Sequence, residues 1–352
     1  MNKHLKNLLL MIPPVYKKYI IIQKLQKENI NYKNEVIKLN NDIIKLNNEI
    51  NLISNKLFFY SSLKNNDTFR WFYKNKTEFD SDINFKDFKN IVLEMNDEVI
   101  KSIYPFNISA YCDICKKNVK MRLNFNVGSI SNGLNIAYSE DCVCSECNLG
   151  SRQRAIINYY ENLNTHSYEN DIYISESITP TFSYFKNNYK NVIGSEYLGN
   201  TKQSGEFYDY NGSLVRNEDL TSLSFPNESM DVIITQHVFE HIPDYNKSFC
   251  ECFKVLRKKG ALLFTIPFYE HNEKTIIRAV INDDGSITNI HPPEIHGNPV
   301  NSEGSLCFQR FGWDILDNLK SCGFINVFAN FYWNRCKGYI GGPYIVFSAF
   351  KE

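Results

Sequence analysis

Apolar positions follow two different patterns along this chain, and the change of pattern divides it. Between residues 22 and 57 the spacing alternates four and three, through Leu39, Ile43, Leu46, Ile50, Ile53 and Leu57, and extends back through Val36, Tyr32, Asn29 and Leu25. A 3.5-residue repeat lays one narrow apolar seam along a helix, and such a seam needs a partner helix. The pattern predicts a self-associating coiled coil, hence a homo-oligomer, with the polar Asn29 setting register. A helix packed on its own domain is the plainer alternative. From residue 171 the pattern changes. Short apolar runs at 171–175, 191–196, 230–235, 261–267, 325–332 and 344–350 read as strands, separated by helices at 180–189, 247–257 and 312–321. The helix before 260 is expected to end in the basic turn Arg257, Lys258, Lys259, with Gly260 as its stop. Strands alternating with helices imply a mainly parallel α/β sheet covered on both faces.

Composition narrows this picture. A length of 352 residues suits two or three modules. They divide as 1–57 (basic segment and coiled coil), 58–109 (accessory segment), 110–150 (a small cysteine module) and 151–352 (the α/β domain). The accessory segment is aromatic and charged without a clean period; a helix over 87–103 is expected in it, with no functional reading. Lys and Arg total 39 and so do Asp and Glu, so the whole molecule is not an electrostatic binder of nucleic acid. The apolar run 8–12 is cut by Pro13 and Pro14, too short to span a membrane. Lys3, Lys6, Lys17 and Lys18 among Leu8, Leu9, Leu10, Tyr16 and Tyr19 make residues 1–21 either a packing arm or a weak membrane-surface foot. The expected location is the cytoplasm, with any peripheral contact at the inner membrane face.

Cys112-x-x-Cys115 and Cys144-x-x-Cys147 form two paired turns. Two thiolates from each complete a tetrahedron around one structural Zn²⁺, so a zinc ribbon is expected over 110–150. Cys142 competes for the second pair, but only Cys144 gives the CxxC spacing. Cys250, Cys252, Cys307, Cys322 and Cys336 lack paired spacing and read as small apolar residues. After the module, Ser151 can cap a helix. It carries Arg152 and Arg154, which are either solvated or reach over a bound anion.

Residues 218–244 hold an acidic turn, Phe225-Pro226, a polar loop, an apolar strand and a polar exit at Gln236 and His237. This order resembles the central segment of class I S-adenosylmethionine (SAM)-dependent methyltransferases of the broad type 11 group. The resemblance covers roughly the half of the chain from Asp171. It implies a Rossmann-like sheet with an antiparallel ending, SAM as cofactor, and methyl transfer as the reaction. The family's first-strand glycine loop is absent here, since residues 171–181 contain no glycine. In its place, Thr179 followed by Pro180 reads as N-cap and first residue of a helix. That helix's free N–H groups can hold the SAM carboxylate. Glu176 then stands where the family places its first acidic residue. Glu196, ending the second strand, has the position that accepts both ribose hydroxyls. Tyr197 flanks the adenine, Asp219 with Leu220 matches the adenine-edge position, and Gln236 lines the cleft.

Methyl transfer to a hydroxyl or amine gains from a general base. His237, His291 and His296 are the candidates chosen, with Glu240 and His241 as a more structural pair; the loop 291–299 sits where substrate loops commonly lie. The combination of a basic Pro-Pro start, coiled coil, zinc ribbon, Arg-Gln-Arg-Ala and residues 191–198 resembles bacterial methyltransferases that accompany surface-polysaccharide synthesis, which implies a glycan or glycan-precursor acceptor. Two alternatives stay open. One is an RNA methyltransferase with a zinc module, against which the 111–155 region is only mildly basic. The other is a non-catalytic scaffold that keeps the fold.

Overall fold

The computed structural model describes residues 38–47, 69–90, 92, 107–123 and 142–352. The membrane-foot expectation for 1–21 and most of the coiled coil lie outside the described residues. The described part, 38–47, is helical, with the seam residues Leu39, Ile43 and Leu46 half-buried and Ile44 exposed.

The main sheet is built from β1 (Phe69–Tyr73), β5 (Asp171–Ile174), β6 (Asn191–Gly194), β7 (Met230–Gln236), β8 (Leu256–Thr265), β9 (Ile325–Asn334) and β10 (Tyr339–Phe350). The labels β2 (Asn107–Cys112), β3 (Lys117–Leu123) and β4 (Cys142–Cys144) belong to a separate three-stranded sheet. The seven strands run in the order β1-β9-β10-β8-β7-β5-β6. Strands β6, β5, β7 and β8 pair in parallel, and β10 enters antiparallel between β8 and β9. This is the expected α/β sheet with its antiparallel ending. Central β7 is apolar throughout except for Asp231 and the polar exit, and is buried on both faces, as a parallel strand between helical layers must be. Helices α1 (Ser151–Glu161), α2 (Pro180–Asn188), α3 (Tyr245–Val255) and α4 (Asp314–Ser321) cover the sheet.

The aromatic run Phe69–Tyr73 of the accessory segment, a candidate for burial from its sequence, joins the main sheet. β1 adds an antiparallel edge strand to β9, with Trp71 opposite Phe331. Phe79, Phe85 and Phe88 follow it and pack with Trp313, Phe331 and Trp333. Aromatics that lack a period along the chain here share one cluster in space.

The basic turn departs from expectation. Helix α3 stops at Val255, and Arg257, Lys258 and Lys259 lie in β8, where the register against β7 shifts between Leu256 and Ala261. Arg257 bridges Asp171 and Asp231 at 2.8 Å each, pinning the starts of β5 and β7. Gly260 serves close approach instead of ending a helix, because a Cβ there would meet the Arg257 carbonyl oxygen at 2.8 Å. Cys250 and Cys322, read from the sequence as unpaired, form a disulfide joining α3 to the end of α4.

Candidate functional site

A cavity of about 1070 Å³ opens at the carboxyl ends of β5, β6 and β7. Open parallel sheets present ligand sites on this edge because their loops diverge there. Glu176, Thr179, Glu196, Tyr197, Asp219, Leu220, Gln236, His237 and His296 all line it. Of the cofactor and catalytic residues chosen from sequence, His291 is the exception: it lies exposed in the loop before the 295–306 hairpin and does not border the cavity. Its backbone N–H is tied to the Arg278 carbonyl, and the chain turns the residue outward.

The loop after β5 is organised by two acceptors. Thr179 caps α2 through Oγ1, which accepts from the Phe182 N–H at 3.2 Å, and Pro180 follows at the first helical position. The helix start is therefore built as expected, with its positive end beside the cavity. Glu196 Oε1 accepts from the backbone N–H of Ser177 and Ile178 at 2.7 and 2.8 Å. Burial pushes the Glu196 carboxyl above its usual range, and these two amides pull it back part of the way. Asp219 holds its own turn, accepting from the Thr221 N–H and hydroxyl at 2.7 and 2.8 Å. Leu220 is buried beside it, whereas Tyr197 is half exposed at the rim.

Arg152 reaches the cavity from α1 and donates to Gln236 Oε1 at 3.2 Å; Gln236 in turn donates to Thr181 Oγ1 at 2.8 Å. Arg152 thus borders the cavity, where a bound anion could meet it, whereas Arg154 does not. Glu176 sits below this group, with Oε2 buried and unpartnered. Burial holds its carboxyl up at about 8, with Arg152 opposing the shift and Glu196 adding to it. A carboxyl raised in the fold keeps a proton that the unfolded chain releases above its ordinary value near 4.5. Its contribution to stability is therefore greatest in acid and is lost as pH rises through about 8. Glu176→Gln should stabilise the ligand-free protein at pH 8.5 by on the order of 1–3 kcal/mol, with little effect at pH 5. Denaturant titrations at the two pH values check this; equal shifts at both would count against it.

Four groups crowd the far side of the cavity. His237, directly after β7, has φ +54°, a left-handed conformation uncommon outside glycine. Burial drives its imidazole well below the usual value, aided by Arg152, so it stands neutral. Glu240 and His241 occupy the short helical turn Phe239–His241. Glu240 is 1% exposed, and neither carboxylate oxygen has a hydrogen-bond partner. His237 Nδ1, His241 Nε2 and His296 Nδ1 stand 3.7, 3.8 and 3.7 Å from its Oε1. Sequence reasoning gave Glu240 a structural part and overlooked Cys307, which the hairpin returns to His241. No spacing rule links Cys307 to these groups; only the fold does.

The four paired cysteines converge. Cys112 and Cys147 sulfurs lie 3.9 Å apart, Cys115 and Cys144 sulfurs 3.8 Å apart, and all four within 4.8 Å of one another. A tetrahedral ion with bonds of about 2.3 Å separates its sulfurs by about 3.8 Å, so the set fits zinc. Each turn donates a backbone N–H to sulfur, from Cys115 to Cys112 and from Glu146 to Cys144. Lys116 and Asn148, directly after the second cysteines, share φ values of 55° and 57°. Cys142 turns away and donates to the Gly338 carbonyl at 3.3 Å. Arg154 is fully buried and does not approach the cavity. It donates to the carbonyls of Lys337 and Gly338 at 2.7 and 3.1 Å and faces Asp113, 3.8 Å away.

Residues 180–264 match the family described as "Methyltransferase domain". The matched stretch runs from α2 through β8, and the sheet around it has the class I, Rossmann-like arrangement. A Mycolicibacterium smegmatis protein named "Probable S-adenosylmethionine-dependent methyltransferase" is 38% identical over 53 residues, 15% of this chain. The match spans about a fifth (21%) of that relative's length. Among solved structures, a Mesorhizobium loti SAM-dependent methyltransferase is 14% identical over 52% of this chain and 91% of its own, with a TM-score of 0.33. A Methanosarcina mazei SAM-dependent methyltransferase is 17% identical over 56% of this chain and 96% of its own, also at 0.33. The Burkholderia thailandensis 1,6-didemethyltoxoflavin-N1-methyltransferase, bound to S-adenosylhomocysteine, is 14% identical over 57% of this chain and 78% of its own, again at 0.33.

Proposed function

We propose that this protein is a SAM-dependent methyltransferase acting on a hydroxyl-bearing acceptor of the glycan class, braced by one structural zinc. The observation that carries the reading is Glu196, a buried carboxylate at the end of β6 that lines the same cavity as the Thr179-capped helix start. A ribose diol suits the carboxylate, and a carboxylate suits the helix end. The unpartnered oxygen of Glu176 in the same cavity suits the cationic amino group of the same ligand.

SAM supplies an electrophilic methyl on a sulfonium. The protein's work is to align the acceptor oxygen with that methyl and keep water away. With SAM held by Glu196 and the Thr179-capped helix start, an acceptor hydroxyl aligned with the methyl would lose its proton as its oxygen bonds carbon, the electron pair of the broken S–C bond remaining on the departing thioether sulfur. His237, neutral at the cavity wall, is placed to take the proton. Glu294, Asn298 and Ser305 add polar groups to the acceptor side, as a polyhydroxylated acceptor requires. Incubation with radiolabelled SAM and nucleotide-sugar or oligosaccharide acceptors tests the class; label transferred to RNA instead would overturn it.

Zinc at Cys112, Cys115, Cys144 and Cys147 has no open position, so it braces the module and takes no part in the chemistry. Cys144→Ser should release this zinc and lower thermal stability. Full zinc retention in that variant would contradict the assignment.

A further inference from the structure

The cluster around Glu240 gathers His241, His296 and Cys307 beside a buried carboxylate whose oxygens have no hydrogen-bond partner. His241 Nδ1 lies 2.9 Å from the Leu306 carbonyl oxygen, which can only accept, so this nitrogen carries the hydrogen. His296 Nε2 lies 3.2 Å from a carboxylate oxygen of Glu294 and carries its hydrogen for the same reason. The remaining nitrogens, His241 Nε2 and His296 Nδ1, face Glu240 Oε1 at 3.8 and 3.7 Å. A buried carboxylate without a hydrogen-bond partner calls for positive charge beside it, which either protons on these imidazoles or a metal ion among them supplies. Cys307, 2% exposed, completes the group: one donor atom each from His241, His296 and Cys307 lie within 4.8 Å of one another.

We propose that His241, His296 and Cys307, with the Glu240 carboxylate beside them, hold a second, zinc-class divalent metal ion at the acceptor side of the cavity. Bonds of about 2.0–2.3 Å put tetrahedral donors about 3.3–3.8 Å apart; the three donors here, within 4.8 Å of one another, reach that spacing by a small inward shift. Mixed nitrogen, sulfur and carboxylate donors select zinc or a similar transition metal over magnesium or calcium. The outer contacts are those of a metal site: Glu294 holds His296 while Arg310 holds Glu294 at 2.9 Å, and the Leu306 carbonyl orients His241. His296 and Glu294 border the cavity, so an ion there meets the acceptor and lowers the pKa of its hydroxyl. That use rests on the methyltransferase reading; the presence of the metal does not.

The test is metal content per chain of the full-length protein, measured by plasma mass spectrometry after dialysis against zinc at micromolar concentration. Wild type should carry one equivalent more than His296→Ala and one more than Cys307→Ser, with circular dichroism unchanged. The near-isosteric serine keeps the test valid if His296→Ala misfolds. Cobalt-loaded wild type should show visible absorption from a mixed nitrogen–sulfur site that either variant lacks. Equal metal counts and equal cobalt spectra in all three proteins would overturn the proposal and leave a proton as the cation between Glu240 and the imidazoles. The same count is read without SAM, so failure of SAM binding would fault the methyltransferase reading alone.

Discussion

Glu196→Ala should bind SAM roughly ten- to a hundredfold more weakly than wild type, a loss of about 1.5–3 kcal/mol. The carboxylate is expected to accept both ribose hydroxyls, and charge-assisted hydrogen bonds are the strong ones. A second effect adds to the first. Glu196 Oε1 also holds the amides of Ser177 and Ile178, which set the path of the loop leading to Thr179. Alanine releases that loop and loosens the helix start that is to hold the SAM carboxylate. Glu196→Gln keeps an oxygen for the two amides and loses the charge, so it should fall between wild type and Glu196→Ala. Zinc content should be the same in all three. Calorimetric titration reads the affinities, and equal values for wild type and Glu196→Ala would refute the ribose assignment.

Arg154→Met should destabilise the fold by about 3–5 kcal/mol, the usual result of leaving one member of a buried ion pair without the other. Arg154 is the joint between the cysteine module and the main sheet. It faces Asp113, which lies between Cys112 and Cys115, and its Cζ stands 4.5 Å from the centre of the Tyr339 ring. Tyr339 from β10 donates its hydroxyl to the same Asp113 carboxylate at 2.8–2.9 Å. Removing the guanidinium strands Asp113 in the interior and takes a donor from the carbonyls of Lys337 and Gly338, of which Gly338 keeps Ser151 Oγ. Adding Asp113→Leu should recover part of the loss, because an apolar pair costs less than a lone buried charge. Urea unfolding measures both; a shift within about 1 kcal/mol for Arg154→Met would show that the joint carries little load. Its effect on SAM affinity should run through Arg152, two residues away on the same helix, and be smaller than its effect on stability.

What the sequence disclosed and what it hid divide along physical lines. Short apolar runs and a helix start of Thr179 and Pro180 are local signals, and the strands, the capped helix and the cleft residues at strand ends were legible from them. The paired CxxC turns were legible because ligand spacing is written within each turn. Contacts made by long returns were not. Arg154 reads as a surface charge next to Arg152 until Tyr339, 185 residues later, closes over it. Cys307 reads as a small apolar residue until the 295–306 hairpin carries it back to His241. His291 shows the converse error. A histidine in a proline-rich loop looks placed for chemistry, but the backbone bond to Arg278 turns it to solvent, and His296, five residues on, holds the inward position. Arg257, Lys258 and Lys259 misled for a related reason: a basic run before glycine suggests a helix end, whereas Arg257 is committed to Asp171 and Asp231 on neighbouring strands.

The claim on which the rest depends is that the cavity at the ends of β5, β6 and β7 is a SAM site. Titration of the purified wild-type chain with S-adenosylhomocysteine, followed by calorimetry at pH 7.5, tests it most directly. The account predicts saturable binding of one molecule per chain, weakened in Glu196→Ala. Absence of binding at millimolar ligand by a protein that is folded and zinc-loaded would contradict it, and would leave a scaffold that keeps the sheet without its cofactor.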